Sequence, residues 1–299
     1  MVQPARRAAG ADAGWAGRAS RTIAPMHATV PTSPAARREL VLTSVLLVAL
    51  AVVVSPADAF VVAGLLPIVV VLGGLGVLGG RRAPAHAYSA LLLPAVLTGG
   101  SAAALHLVPA GLWLLVALVA YAVVLDRLLA LELGILAQPS GVSDADRGRV
   151  LAAAVVTAFV AFTGVAALVP GGMPEPAGSP TAGTSAMTGA WLAALALADA
   201  VVAFAIGWRI SALRVGGGLE IARSALTYAL VTAIAAGLIR AIDLPRLVGP
   251  AILTLVFYLW DAQHASAPAR RQERRFLVEM VLLAALAILV VAWNLRVPQ

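Results

Sequence analysis

The feature that most constrains this chain is a rhythm: long runs of Ala, Val, Leu, Ile and Gly are broken at nearly even intervals by short arginine clusters. A helix rises about 1.5 Å per residue, so about 20 apolar residues cross the roughly 30 Å hydrocarbon core of a bilayer. Nine such runs fall at approximately 40–54, 60–79, 87–105, 110–129, 150–169, 190–210, 220–241, 247–261 and 276–293. The first and eighth are short, so they must tilt or borrow flanking residues to span. The expected fold is all-α, a polytopic transmembrane helix bundle of about nine spanning helices.

The arginines predict an orientation. They group as Arg37/Arg38, Arg81/Arg82, Arg127 with Arg147/Arg149, Arg209 with Arg214, and Arg270/Arg271 with Arg274/Arg275, and two apolar runs separate each group from the next. Cytoplasmic segment ends are enriched in basic residues. If all five groups lie inside, each intervening pair of runs is an out-and-back hairpin. That places the N-terminus in the cytoplasm and the C-terminus outside a bacterial inner membrane, with Arg240, Arg246 and Arg296 as outer-side exceptions.

Composition excludes the soluble alternative. Of 299 residues, 61% are hydrophobic and 12% charged, with a mean hydropathy of +0.96, whereas soluble chains run about 45–50% apolar and about 25% charged. The net charge of +7 would suggest nucleic acid in a soluble protein. Here every basic residue is an arginine, the clusters sit at the ends of apolar runs, and no basic patch is interleaved with aromatics, so no nucleic-acid partner is expected. The expected partners are the lipid bilayer and anionic headgroups at its cytoplasmic face. The absence of cysteine removes disulfides, thiolate metal sites and Cys nucleophiles.

Residues 1–36 are rich in Pro, Ala, Ser, Thr and scattered Arg, and read as a disordered basic cytoplasmic tail ahead of a transmembrane domain over 37–299. Met26 is a second candidate start. Arg37/Arg38, the run after it and Ala57-Asp58-Ala59 also imitate a cleavable signal peptide. The one long connection, over 170–189, is rich in Pro, Gly, Ser and Thr and reads as a flexible external loop. No extramembrane segment is large enough for a catalytic domain.

Ionisable groups at membrane depth are costly, about 2.5–3.5 kcal/mol on insertion scales, so each suggests a role. Asp199 stands midway along its run with no route to either surface. It reads either as a proton or cation relay or as a protonated acid bonded to Thr227, Tyr228 or Thr232 at similar depth on the next helix. Asp261 and His264 form D-x-x-H, one turn apart on one face. With Glu279 they make a candidate interfacial site, although two ligands are too few for zinc. No metal or cofactor is expected. Glu220 reads as locally paired with Arg214 or Arg223. Asp126, Arg127 and Glu132 read as an interfacial network on a helix that continues to about Ala137 and turns amphipathic against headgroups.

Small residues recur at Ala225, Ala229, Ala233, Gly237 and Ala241, and again at Gly76 and Gly80 with Gly73, Gly74 and Gly79 around them. Such faces let helix backbones approach closely and also suit a homo-oligomer. Pro67, Pro94 and Pro250 should kink or start helices. No H-E-x-x-H, G-x-S-x-G, P-loop or D-x-x-x-D pattern is present.

The stretch "LVGPAILTLVFYLWDAQHASAPARRQERRFLVEMVLLAALAIL" resembles the closing segment of an uncharacterised family of bacterial multi-spanning membrane proteins found in Chloroflexi and cyanobacteria. The resemblance rests on Gly249, Phe257-Tyr258, His264 and the basic run leading to Glu279, and it implies a membrane protein without an assigned activity. Three functional expectations follow from the residues: a non-catalytic bundle, a small-molecule or ion transporter using Asp199, or a membrane-embedded enzyme acting on lipid through Asp261, His264 and Glu279.

Overall fold

The computed structural model describes residues 34–53, 56–77, 87–138, 142–173, 189–215, 217–240, 244 and 247–265. All regular structure among them is helical. The helices are α1 (Pro34–Val53), α2 (Pro56–Val77), α3 (Ala87–Ala104), α4 (Leu112–Leu136), α5 (Asp144–Leu168), α6 (Gly189–Ala212), α7 (Gly218–Arg240) and α8 (Val248–Ala265), and a single 3-10 turn, Leu105–Leu107, extends α3. Among the described residues, five spans are long and apolar enough to cross a membrane: Tyr88–Leu107, Leu112–Leu136, Asp144–Leu168, Gly189–Ala212 and Gly218–Ile239. The expected ninth run, residues 1–33 and most of the 170–189 loop lie outside the described residues.

Local chemistry sets several boundaries. Ser143 caps α5: its Oγ accepts from the Asp146 amide at 3.1 Å and donates to Asp146 Oδ2 at 2.6 Å, a reciprocal arrangement like a capping box. This cap starts the helix six residues before the apolar run does. Gly111 precedes α4 with φ 121°, a backbone that side chains disfavour. Pro250 lies in the first turn of α8, where no intrahelical donor is missed. Pro67 and Pro94 sit inside α2 and α3.

Helix α3 is the centre. It contacts α1, α2, α4, α5 and α6, and 67% of its spanning stretch is buried against 22% for α4 and α6. Glycine makes this crowding feasible. A Cβ added at Gly100 would stand 2.6 Å from the Ala161 Cα, and one at Gly164 would stand 2.5 Å from the Gly100 carbonyl oxygen, so α3 and α5 meet backbone to backbone. Gly99 is closed the same way by the Ala63 carbonyl of α2, at 2.7 Å.

The expected small-residue faces are only partly used. On α7, Ala225 and Ala229 are buried, but Gly237 faces open space, as does Gly76 on α2. Within the expected α2 face, the close approach falls on Gly73, against Leu40, and Gly74, against Leu91. Spacing alone does not tell which of several adjacent glycines faces a neighbour.

The outer faces carry large apolar side chains at helical spacing, such as Leu42, Leu46 and Leu50 on α1 and Leu226, Leu230, Ile234 and Leu238 on α7. Such continuous exposure on helix after helix suits hydrocarbon, not water. The charged side chains gather elsewhere. Ion pairs and hydrogen bonds join the starts of α1, α3, α5 and α7 to the later halves of α4, α6 and α8. These ends therefore lie together, and neighbouring helices alternate in direction.

Candidate functional site

Two buried ionic knots occupy this charged end. The first joins α3, α4 and α6. Arg209 Nε donates to Glu132 Oε1 at 3.0 Å and its Nη2 donates to Oε2. The remaining Nη1 reaches Ser89 Oγ at 3.3 Å. Glu132 is 1% exposed and Arg209 3%, so two full charges are enclosed by apolar helices. The guanidinium fork fits both carboxylate oxygens at once, which is the geometry that offsets desolvation best.

This arrangement corrects the expectation for Glu132. The residue is not part of a network against headgroups, because α4 runs straight through Leu112–Leu136 and turns Glu132 inward. Asp126, expected in the same network, pairs instead with Arg37 of α1 at 3.0 Å.

The second knot joins the end of α6 to α7 and α8. Arg214 Nη1 and Nη2 donate to Asp261 Oδ1 and Oδ2 at 2.8 and 2.9 Å. Tyr228 donates to the same Oδ1 at 2.7 Å. Asp261 is fully buried. Burial works against the charge of Arg214, but the hydrogen bonds and charge of Asp261, with help from Tyr228, outweigh it and raise its pKa above the ordinary arginine value. A support layer surrounds the pair: Trp260 Nε1 donates to Thr227 Oγ1 at 3.1 Å, and Ser211 Oγ donates to Ser224 Oγ at 2.8 Å. Arg214 is thus the partner of Asp261, not of Glu220.

The sequence-expected groups fall out as follows. Thr227 and Tyr228, expected beside Asp199, turn their hydroxyl protons to Ser224 O and Asp261. Thr232 is buried, and its Oγ1 has no hydrogen-bond partner among the described residues. Asp199 itself is 2% exposed at the middle of α6. Asp261 and His264 do share one side of α8, but only Asp261 enters the knot. His264 is exposed, its Nδ1 lies 3.1 Å from the Trp260 carbonyl oxygen, and its ring packs 4.5 Å from the Trp260 ring. Glu279 lies outside the described residues.

These positions limit the chemistry. A carboxylate held by a two-pronged guanidinium has a lone pair on each oxygen engaged and its anion favoured by the adjacent charge, which makes it a poor general base. Among the described residues, no three His, Asp or Glu side chains gather as a metal site would need. Sequence reasoning missed the Glu132–Arg209–Ser89 knot. The available signal was two opposite charges at similar distances from the same end of their helices, with no surface for either to reach.

The α5 and α8 surfaces also bound an open, apolar groove of about 520 Å³, lined among others by Gly148, Ala152, Val155, Ala251, Leu255 and Tyr258. No family model matches the chain, and neither a curated protein nor a solved structure shows detectable similarity to it.

Proposed function

We propose that this chain is a non-catalytic, multi-pass integral membrane protein of the bacterial inner membrane, in which buried charge holds helices in register. The observation that carries the proposal is the occupation of both oxygens of Glu132 and of Asp261 by single arginines. An acid committed in this way serves architecture. The gathering of most of the described arginines at one end, with Arg240 at the far end of α7 the exception, supports placing that end in the cytoplasm, with the N-terminus on the same side and the C-terminus outside. Anionic headgroups there are the natural partners of exposed Arg147 and Arg149.

The test uses a deletion strain complemented by variants that keep the fold. Asp199→Asn, and the pair Glu132→Leu with Arg209→Met, should restore any phenotype of the deletion to wild-type level. A double variant that folds normally in membranes yet behaves like the deletion contradicts an architectural role.

A second reading, transport coupled to Asp199, is favoured by the burial of that acid at mid-depth in α6. Proton-dependent uptake into proteoliposomes that vanishes in Asp199→Asn would establish it. A lipid-directed enzyme has the weakest support, because Arg214 and Tyr228 already occupy Asp261.

A further inference from the structure

The groove between α5 and α8 runs from the charged end into the apolar part of the bundle. α5 runs inward from that end, so Gly148 stands at the groove mouth and Val155 about 10 Å deeper, at 1.5 Å per residue. α8 runs the other way, with Tyr258 at the mouth and Ala251 about 10 Å deeper. A Cβ added at Gly148 meets nothing within 4 Å, and Ala152 and Ala251 present only methyl groups. The hydroxyl of Thr254, deeper in, donates to the Pro250 carbonyl oxygen at 2.8 Å, so the depth of the groove offers a guest only apolar contact. The mouth differs. A narrow cleft there shares Leu151 with the groove, and the described residues lining it include Arg147 and Arg214 but no acid. Both arginines have partners, and neither is used up. A guanidinium carries five N–H donors. Arg147 spends one, on Asp144 at 3.1 Å, in a weak surface pair with an acid whose side chain is 98% exposed. Arg214 directs Nη1 and one Nη2 proton at Tyr228 and Asp261, which leaves Nε and the second Nη2 proton. Asp146, the other acid nearby, already accepts from Gln138, Ser143 and Arg149.

We infer that cleft and groove together seat one anionic phospholipid, with its phosphate at Arg147 and Arg214 and one acyl chain lying along the groove toward Val155 and Ala251. The inference rests on the membrane-spanning reading above. Charge complementarity selects the occupant. An apolar helix or a neutral chain would fill the groove and leave the spare guanidinium protons unused, and a free phosphate would do the reverse. An amphiphile with an anionic head uses both. The planar guanidinium suits phosphate oxygens, and two cations lining the cleft without an acid favour a net negative head over a zwitterionic one. Tyr258 adds an amphipathic phenol at the level where head meets chain.

The test offers the full-length protein, in mild detergent, phosphatidylglycerol and phosphatidylcholine with the same acyl chains, and counts retained lipid by native mass spectrometry. The expected result is one retained phosphatidylglycerol, preferred over phosphatidylcholine by about tenfold or more. Arg147→Gln should cut that preference about fivefold, and Asp144 tolerates the change because it already faces solvent. Gly148→Leu should displace both lipids, since its side chain grows into the open groove without meeting backbone. Equal retention of the two lipids would overturn the inference in favour of a chain site blind to charge. No retained lipid would overturn it in favour of protein in the groove. A preference that both variants leave intact would overturn it by placing the lipid elsewhere, and competition by glycerol phosphate at the lipid's own concentration would overturn the acyl-chain seat. Failure of the spanning reading is distinguishable: alkaline carbonate would then strip the protein from membranes, whereas a spanning protein that lacks this lipid site stays in the pellet.

Discussion

Glu132 and Arg209, 77 residues apart in the chain, meet inside the bundle through two parallel hydrogen bonds. Neither reaches solvent, so each is the other's counter-charge. Removing one leaves the other buried and uncompensated. Arg209→Met alone should lower stability by about 3–5 kcal/mol, read from unfolding in detergent micelles. Ser89→Ala, which removes the third contact of the guanidinium at 3.3 Å, should cost about 1 kcal/mol.

Gly100 and Gly134 should respond oppositely to alanine. A methyl at Gly100 meets the Ala161 Cα at 2.6 Å, and backbone cannot swing aside, so Gly100→Ala should destabilise by about 1–3 kcal/mol. Gly134 faces open space within α4, where alanine gains roughly 0.5–1 kcal/mol in helix propensity. Thermal unfolding of the two variants side by side checks both signs.

The helical segments were largely legible in the sequence, and their pairing was not. The apolar runs anticipated α3, α6 and α7 to within about two residues, because length and hydropathy are properties of one segment. The start of α5 was missed, since Asp144-Ala-Asp-Arg looks like a loop until Ser143 is seen to cap it. The partner of Glu132 is a long-range property. Depth along the helix narrows it to groups near the same end, but helix rotation decides among them. The same limit assigned Thr227 and Tyr228 to Asp199 by depth, although they turn toward α8.

Tyr228→Phe should separate the second knot into its parts. The variant keeps the ring that packs on Phe257 and leaves Arg214 on both oxygens of Asp261, so the loss should be about 1–2 kcal/mol. Asp261→Leu leaves Arg214 without its counter-charge and Tyr228 without its acceptor. It should cost more than Tyr228→Phe in the same unfolding measurement, and Arg214→Met combined with it should recover part of the loss.

Gly207→Ala should act on that knot from a distance. Its added methyl would stand 2.8 Å from the Tyr228 ring, which can shift only by moving its hydroxyl off Asp261. In the Tyr228→Phe background the penalty of Gly207→Ala should shrink, because no hydrogen bond remains to be lost. A double-mutant cycle measures this coupling.

The central claim is that buried charge here is architectural, and the most direct measurement is the cycle over Glu132→Leu, Arg209→Met and their combination. Architecture predicts that each single variant loses about 3–5 kcal/mol while the double variant lies within about 1 kcal/mol of the parent. A double variant as unstable as the two single losses added together would contradict it.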